Sequence, residues 1–306
     1  MRSCLITGGF GFLGRNLLKH FRGLTDRIAV CEPEGNEQLI REYDVTYYNT
    51  DLLSPGETKA LIGKEEPEVI LHLASTVTSE RDFGRTRPFI ENNVFPLLNL
   101  LAASEESPRL RTLVNFGSLE EYGETPLPYQ EDSRENPQSP YALSKVFATH
   151  LAEAYARQKK VPVVTLRPSL VYGPHQKPDK FIPNAILRAI RGETIIMTPG
   201  EQKRDLLFVG DLADIVEVIC RRTPDVYGTI YNVASGTTVT MSSLVELILK
   251  LTRSGSRVER TLPYRREEAM DHTSDTSRIT SLLGTGFPWT PLEEGLRATI
   301  RSYEEQ

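Results

Sequence analysis

A glycine-rich stretch near the start of the chain, TGGFGFLG at residues 7–14, constrains the fold more than any other feature. It follows an apolar run at residues 4–6, and four of its eight residues are glycine. Such a segment bends sharply, lets its backbone approach another molecule, and exposes peptide N–H groups. Apolar side chains at helical spacing follow, so the loop leads into a helix N-terminus with unpaired N–H groups and partial positive charge. The stretch therefore has the properties of an anion-binding loop.

The spacing of three of these glycines is more specific. Gly9, Gly11 and Gly14 satisfy the G-x-G-x-x-G pattern between a strand-like run and a helix, as the dinucleotide fingerprint requires. We therefore predict a pyrophosphate-binding turn. The alternative is an ordinary glycine-rich turn between a strand and a helix.

Composition narrows the classes of protein that fit. The 306 residues suffice for one large α/β domain or two lobes, and a net charge of −5 without a Lys/Arg block disfavours nucleic acid. Cys4, Cys31 and Cys220 lack paired spacing, and the histidines lack metal-ligand spacing, so neither disulfides nor a metal site is expected. No apolar run approaches about 18 residues and no signal peptide is recognisable. We expect a cytoplasmic protein that binds no metal, membrane or nucleic acid.

Apolar runs alternate with stretches of helical periodicity through the first half of the chain. The runs cover residues 3–6, 28–31, 69–73, 113–116 and 161–166, and helices are expected over 88–104 and 140–157. This rhythm predicts a doubly wound parallel α/β sheet of the Rossmann type, with ligands above the carboxyl ends of the strands. Prolines break the rhythm after Arg167, which predicts a smaller C-terminal α/β substrate lobe. We assign residues 1–167, with 206–235 returning, to the dinucleotide-binding domain, and residues 168–205 and 236–306 to the lobe.

The end of the second apolar run indicates which dinucleotide binds. Glu32 closes this run about 20 residues after the glycines, where an acidic side chain accepts hydrogen bonds from the adenosine ribose hydroxyls. A 2′-phosphate would favour an arginine, and the next arginine is Arg41. We therefore predict NAD rather than NADP, the alternative for Glu32 being a solvated loop acid. Asp51 and Leu52 are candidates for the adenine border, or else form a helix-capping turn.

Three residues downstream suggest chemistry at a nicotinamide. Tyr141 and Lys145 lie four apart on a predicted helix, so they share a face. For the phenol to act as a base at neutral pH, its pKa must fall by about three units, and Lys145 together with an oxidised nicotinamide could supply the positive charge. Ser118, at the end of a predicted strand, can hydrogen-bond the same substrate oxygen. Tyr and Lys at this spacing occur on many ordinary helices, so the pair indicates a catalytic site only together with the glycine loop upstream.

Motifs along almost the whole chain resemble the extended short-chain dehydrogenase/reductase family, in its NAD-dependent nucleotide-sugar epimerase/dehydratase branch. The matching segments are TGGFGFLG at 7–14, LHLAS at 71–75, NNV at 92–94, GSLEEYG at 117–123, SPYALSK at 139–145, RP through VYGP at 167–174, GEQKRD at 200–205, DTSR at 275–278, LLG at 282–284 and LEEGL at 292–296.

The resemblance implies which residues hold the ligands. Its cofactor-binding positions are Gly8, Gly11, Phe12, Leu13, Gly14, Glu32, Asp51, Leu52, Leu73, Ala74, Asn93, Tyr141 and Lys145. It implies Ser118, Tyr141, Lys145 and Glu120 as catalytic residues. It implies a nucleoside diphosphate sugar as substrate, bound by Ser75, Ser118, Leu170, Arg204 and Arg265, with C4 as the centre of hydride transfer. By analogy with the family we also expect a homodimer formed through residues 88–104 and 140–157.

Two positions depart from the family pattern. Leu170 stands where the family usually has an asparagine that holds the sugar diphosphate, and leucine cannot make that hydrogen bond. The sugar 4,6-dehydratases have a glutamate at the position of Glu120 to remove the C5 proton. Many also have an acid at the position of Leu119 to protonate the leaving hydroxyl, and leucine has no proton to give. Dehydration is disfavoured, although Glu121 or a water could substitute.

We therefore favour an NAD-dependent nucleotide-sugar 4-epimerase. The alternatives are a 4-ketoreductase acting on a nucleotide-linked 4-keto-hexose, then a 4,6-dehydratase, and, outside enzymology, a cofactor-binding sensor.

Overall fold

The computed structural model describes residues 1–78, 80–222, 225–265 and 268–305. The strands are β1 (Ser3–Thr7), β2 (Arg27–Cys31), β3 (Thr46–Tyr48), β4 (Val69–His72), β5 (Thr112–Phe116), β6 (Val163–Pro168), β7 (Leu170–Tyr172), β8 (Ile195–Ile196), β9 (Lys203–Phe208), β10 (Ile230–Val233), β11 (Thr238–Thr240) and β12 (Val258–Glu259). The helices are α1 (Phe12–Phe21), α2 (Glu37–Tyr43), α3 (Pro55–Glu65), α4 (Thr86–Asn93), α5 (Phe95–Ser104), α6 (Pro140–Lys159), α7 (Phe181–Arg191), α8 (Val209–Arg222), α9 (Met241–Thr252), α10 (Ser277–Leu283) and α11 (Leu292–Glu304).

The chain divides into two compact units. The first consists of Met1–Thr125, Glu131–Arg167 and Ala213–Tyr231. The second consists of Pro126–Gln130, Pro168–Leu212 and Asn232–Gln306.

A seven-stranded sheet in the order β10-β6-β5-β4-β1-β2-β3 organises the first unit. Parallel pairing joins β3 to β2, β2 to β1, β1 to β4, β4 to β5 and β5 to β6. The strand order reverses between β1 and β4, which is the point where doubly wound sheets bind ligands at the carboxyl ends of their strands. The predicted fold class is therefore confirmed, because the apolar runs pair in parallel as their alternation with helices requires.

The core of this unit explains why the strands are almost continuously apolar. Side chains on one face of the sheet, including Leu5, Ile70 and Leu113, pack against α5 and α6 through Leu97 and Ala152. Both faces of a parallel sheet are covered, so side chains that point to either face of the sheet are buried. This packing holds the carboxyl ends of the strands in place, where ligands are expected to bind.

The helix predicted over residues 88–104 is wrong in one respect, since the structure has two helices there. Helix α4 ends at Asn93 and α5 begins at Phe95, with Val94 between them as a shared cap residue. Pro96 explains the break, because proline lacks the N–H that a continuous helix needs and its ring clashes with the preceding turn. In α5 it occupies the first turn, where it is tolerated.

Helix α6 agrees with its prediction and extends two residues further. The side chain of Ser139 caps it by accepting a hydrogen bond from the Ala142 N–H at 3.0 Å, and Pro140 occupies its first turn. The helix ends where Lys160 adopts a left-handed conformation with φ 59°. Its start, and thus the position of Tyr141, is fixed by these local signals.

The second unit contains small sheets and helices around a separate core. Its sheets have the orders β11-β9-β7 and β12-β8. Helices α7, α9 and α11 pack together through Ile186, Leu244 and Leu296, which are buried. In the described part of the chain, no helix is both long enough and apolar enough to cross a membrane.

Candidate active site

The glycine loop between β1 and α1 is closely packed against its own backbone and its neighbours. Gly8 has φ +71°, and a Cβ on it would lie 2.7 Å from the Ala74 nitrogen. A Cβ on Gly9 would lie 2.9 Å from Val30 Cγ1, and one on Gly14 would lie 2.5 Å from the Gly8 oxygen. Side chains are therefore excluded for steric reasons, and bare backbone surrounds the start of α1. This arrangement fits a pyrophosphate, because the N-cap residue Gly11 has no side chain to satisfy the first N–H groups of the helix.

Glu32 lies next to this loop. Its Oε1 accepts a hydrogen bond from the Phe10 N–H at 2.8 Å, and its backbone oxygen accepts one from the Tyr47 hydroxyl at 3.1 Å. The rings of Phe10 and Tyr47 are stacked with centroids 6.3 Å apart. Burial raises the pKa of Glu32, and the Phe10 N–H opposes the rise. The acidic side chain is thus held at the loop, where the ribose of an adenosine would lie.

The end of β4 is tied to the end of β1. The Thr7 hydroxyl lies 2.8 Å from His72 Nδ1 and accepts a hydrogen bond from the Ala74 N–H at 3.2 Å. Burial and the charge of Lys145 lower the pKa of His72 to about 3, so its ring is neutral. Ser75 Oγ is buried and has no hydrogen-bond partner in the described structure. A buried hydroxyl left without a partner is suited to a bound molecule.

The first unit brings Ser118, Tyr141 and Lys145 close together. The Ser118 side chain lies close enough to the Tyr141 hydroxyl to oppose the rise in the pKa of that phenol caused by burial. Lys145 Nζ lies 5.9 Å from the centre of the Tyr141 ring and donates a hydrogen bond to the Phe116 oxygen at 2.8 Å. The Ser118 hydroxyl accepts a hydrogen bond from the Glu120 N–H at 3.1 Å.

Burial dominates the electrostatics of this group. The pKa of Tyr141 is raised well above its usual value, first by burial and then by the charges of Glu120 and Glu121. Burial also lowers the pKa of Lys145 to about 8. Because the ammonium is itself poorly solvated, Lys145 alone does not make the phenol acidic. In the chain by itself, Tyr141 therefore holds its proton at neutral pH.

The segment after Ser118 carries two glutamates with different surroundings. Glu120 is exposed, whereas Leu119 and Glu121 are buried. The carboxylate of Glu121 is bonded to the Ser118 N–H, to the Thr149 hydroxyl and to Arg167. These bonds occupy Glu121, so it does not provide the acid that Leu119 lacks.

Three predicted cofactor contacts have structural partners of their own. The Asn93 side chain accepts a hydrogen bond from the Thr76 N–H at 2.7 Å and donates one to the Ser144 hydroxyl at 2.9 Å. Asp51 Oδ1 accepts a hydrogen bond from the Leu53 N–H at 2.9 Å, forming a turn before α3. Leu52 is buried in the core of the first unit. These residues shape the border of the site, and direct cofactor contacts by them stay a prediction.

The predicted substrate residues of the second unit lie on β7, on β9 and in a loop. Leu170 on β7 is 42% exposed, which is unusual for a leucine on a strand. Arg204 on β9 donates a hydrogen bond to Glu268 Oε1 at 2.6 Å and another to the Lys203 oxygen at 2.8 Å. Arg265 is exposed in the loop before Glu268. Arg204 thus already has an anionic partner in this structure.

Sequence reasoning missed the hydrogen bonds of Thr149 and Arg167 to Glu121. Thr149 lies four residues after Lys145 and so continues the face of α6 that carries Tyr141, which is a signal that could have been read. Arg167 stands in a recognised motif, but its complete burial gives no sign in the sequence.

The fold and the glycine loop are those of a dinucleotide-dependent enzyme of the short-chain dehydrogenase/reductase type. A model of the NAD dependent epimerase/dehydratase family matches residues 4–234, and the chain therefore belongs to that family. Its cofactor is NAD, and the chain is an enzyme, which removes the alternative of a non-catalytic sensor.

Known relatives differ in their reactions. The chain is 27% identical to a human dTDP-D-glucose 4,6-dehydratase, covering 98% of this chain and 89% of that protein. It is 29% identical to a dTDP-glucose 4,6-dehydratase of Neisseria meningitidis serogroup B, covering 99% and 93%. Its fold is similar to that of a UDP-glucose 4-epimerase from Thermotoga maritima solved with UDP-glucose, with a TM-score of 0.88, 21% identity and 99% of each chain covered.

Replacing Gly14 with alanine should weaken NAD binding by at least about tenfold, a loss of about 1.4 kcal/mol. The added methyl group would displace the Gly8 and Gly9 oxygens and so distort the cradle. Calorimetric titration with NAD measures the effect. Gly63→Ala is the matched control, because a Cβ there meets no atom within 4 Å. Equal affinities in the two variants would contradict the role of the loop.

Lys145 should make stability depend on pH. Its pKa in the folded chain is about 8, below the ordinary 10.5, so between these values the unfolded state binds more protons. The free energy of unfolding should therefore increase relative to Lys145→Met as the pH rises, by about 2 kcal/mol between pH 8 and 10. Urea denaturation of both proteins across this range provides the comparison. A difference that stays constant with pH would show that Lys145 titrates normally.

Proposed function

We propose that this protein is an NAD-dependent 4-epimerase of a nucleoside diphosphate hexose. The observation that carries the proposal is the pair of neighbouring side chains Ser118 and Tyr141, with Lys145 Nζ 5.9 Å from the centre of the Tyr141 ring. Such a pair serves a single substrate oxygen with a single proton carrier. Epimerisation at C4 requires no more than this, because the proton removed from the C4 hydroxyl is later returned to the same oxygen.

The chain's own residues then have distinct roles. Tyr141 exchanges the proton with the C4 oxygen, and Ser118 donates a hydrogen bond that holds this oxygen in place. Lys145 stabilises the ionised phenol, with its ammonium oriented by the Phe116 oxygen at 2.8 Å. Bound NAD, held by the glycine loop and Glu32, supplies the hydride acceptor and the positive charge that offsets the raised pKa of Tyr141.

Dehydration is disfavoured by the surroundings of Ser118, although the curated relatives named above are dehydratases. Loss of water from C5 and C6 requires a base for the C5 proton and an acid for the leaving hydroxyl. Glu120 could serve as the base, but Leu119 cannot serve as the acid and Glu121 is bonded inside the unit. We therefore assign Glu120 to substrate contact.

A 4-ketoreductase is the second candidate, and one observation favours it. The pKa of Tyr141 is raised, so the phenol holds a proton that could be donated to a ketone at C4. A reductase would use the same three side chains and would consume reduced cofactor. The two candidates differ in stoichiometry rather than in the residues they need.

The proposed class of substrate is supported by a structural relative and by individual polar side chains. UDP-glucose is bound in the Thermotoga structure, which supports a nucleotide sugar here. Arg204 and Arg265 are assigned to the diphosphate, since a guanidinium fork suits phosphate oxygens. Ser75, with its unpartnered hydroxyl, is assigned to the sugar. Leu170 offers no hydrogen bond, so the substrate is held differently at that position than in most of the family.

We also propose a homodimer. Phe95 on α5 and Phe147 on α6 are 45% and 43% exposed, and large apolar side chains on neighbouring helices are suited to a helical interface.

Incubation with UDP-, dTDP-, GDP- and CDP-hexoses should yield a product of unchanged mass with inverted C4. Mass spectrometry, NMR and absorbance at 340 nm follow the reaction together, and the epimerase predicts no net change in absorbance.

Tyr141→Phe should lower kcat by about 10²-fold or more, because the proton carrier is lost. Glu120→Gln should lower it by less than about tenfold, since no C5 proton is removed.

Other products would decide against epimerisation. A loss of water that depends on Glu120 would indicate a dehydratase. A gain of two hydrogens by a 4-keto substrate, with stoichiometric loss of absorbance, would indicate the reductase.

A further inference from the structure

Glu121 is completely buried in the first unit, directly behind Ser118. Its Oε1 accepts a hydrogen bond from the Ser118 N–H at 2.8 Å. Its Oε2 accepts one from the Thr149 hydroxyl at 2.9 Å and one from Arg167 Nε at 2.8 Å. One carboxylate thus joins the segment after β5, helix α6 and strand β6.

Arg167 provides the opposite charge and is itself fully buried. Its remaining nitrogens donate hydrogen bonds to the Tyr122 hydroxyl at 2.8 Å and to Glu135 Oε1 at 2.5 Å. The guanidinium carbon lies 4.7 Å from the centre of the Tyr122 ring. A buried ion pair of this kind adds little stability compared with apolar packing, so stability alone does not account for its presence.

The backbone makes room for this carboxylate. A Cβ on Gly117 would collide with Glu121 Oε1 and would lie 3.3 Å from Arg167 Cγ. Any side chain at position 117 would displace the carboxylate from the Ser118 N–H. The absence of a side chain at Gly117 therefore allows the Glu121 carboxylate to occupy this position.

Thr149 connects the carboxylate to the reacting face of α6. Tyr141, Lys145 and Thr149 are spaced by four residues and share one face of the helix. Glu121 thus holds the backbone of Ser118 at one oxygen and the face that carries Tyr141 at the other.

We propose that Glu121, with Arg167 as its counter-charge, is a positioning residue that fixes Ser118 against the Tyr141–Lys145–Thr149 face of α6 and sets the electrostatic field there. The inference rests on the proposed function only in taking Ser118 and Tyr141 as the reacting pair.

The charge of Glu121 acts on both titrating groups. It raises the pKa of Lys145 against the effect of burial, and it contributes to the raised pKa of Tyr141. Burial raises the pKa of Glu121 itself, but three donors including Arg167 keep its carboxylate ionised at neutral pH. Two further charges act on side chains of this group. Besides burial, the charge of Glu120 raises the pKa of Tyr141, and the charge of Lys145 lowers the pKa of His72, whose ring is neutral.

Glu121→Gln and Glu135→Gln form a matched pair of variants. Each removes one carboxylate from Arg167, but only Glu121 also contacts Ser118 and Thr149. NMR of protein labelled with ¹⁵N-lysine reports the titration of Lys145 without cofactor or substrate, and Lys145→Met assigns its signal. The wild-type midpoint is expected near 8, and it should fall in Glu121→Gln but not in Glu135→Gln.

Kinetics provide the second readout of the same variants. Glu121→Gln should lower kcat by about tenfold or more with little change in KM, because the reacting groups are displaced while binding is kept. Glu135→Gln should keep kcat within about threefold. Equal effects of the two variants on kcat and on the Lys145 midpoint would overturn the proposal, since both would then reflect the stability of the ion pair.

Thr149→Val keeps the charge of Glu121 and removes only one hydrogen bond, so it tests positioning even where Glu121→Gln does not fold. It should lower kcat without moving the Lys145 midpoint, and Thr149→Ser should restore kcat. An unchanged kcat in Thr149→Val would overturn the positioning role. The Lys145 titration is independent of turnover, so it decides this inference even where no nucleotide sugar is converted.

Discussion

The close approach of bare backbone around the first βα turn is the constraint on which the rest of the structure depends. Gly8 passes against the end of β4, Gly9 against Val30 of β2, and Gly14 against the turn itself. These contacts bring the carboxyl ends of β1, β2 and β4 to one edge of the sheet and direct the start of α1 towards it. The predicted NAD-binding loop and the adjacent position of Glu32 both follow from this packing.

Burial also determines the protonation of the side chains at the candidate site. Tyr141 and Lys145 are both withdrawn from water, so burial disfavours the charged form of each. In the proposed mechanism, the bound cofactor therefore supplies part of the charge that makes the phenol reactive. In the proposed mechanism, this coupling restricts proton transfer to the complete complex, which protects a reactive keto intermediate.

Several parts of this structure could be predicted from the sequence. The strands appear as apolar runs because both faces of a parallel sheet are buried, and the ends of α6 are marked by Ser139 and Pro140. The proximity of Tyr141 and Lys145 followed from helical spacing, and that of Ser118 from its position at a strand end. The break between α4 and α5 at Pro96 was also readable, although hydrophobic periodicity alone did not reveal it.

Other features depend on distances that a sequence does not contain. The direction of the pKa shift of Tyr141 depends on how much water reaches the phenol. Glu120 and Glu121 are adjacent and chemically alike, yet one is exposed and the other is bonded to Arg167. Only the three-dimensional structure separates a candidate substrate contact from a structural anion.

The central claim is that one hydride leaves C4 of the sugar and returns to C4 of the same molecule, with Tyr141 carrying the proton. The most direct measurement uses a nucleoside diphosphate hexose labelled with deuterium at C4, followed by NMR of the product. The account predicts an inverted C4 that retains its deuterium, with no solvent hydrogen at C4 or C5. Incorporation of solvent hydrogen at C5, or loss of the C4 label to free cofactor, would contradict it.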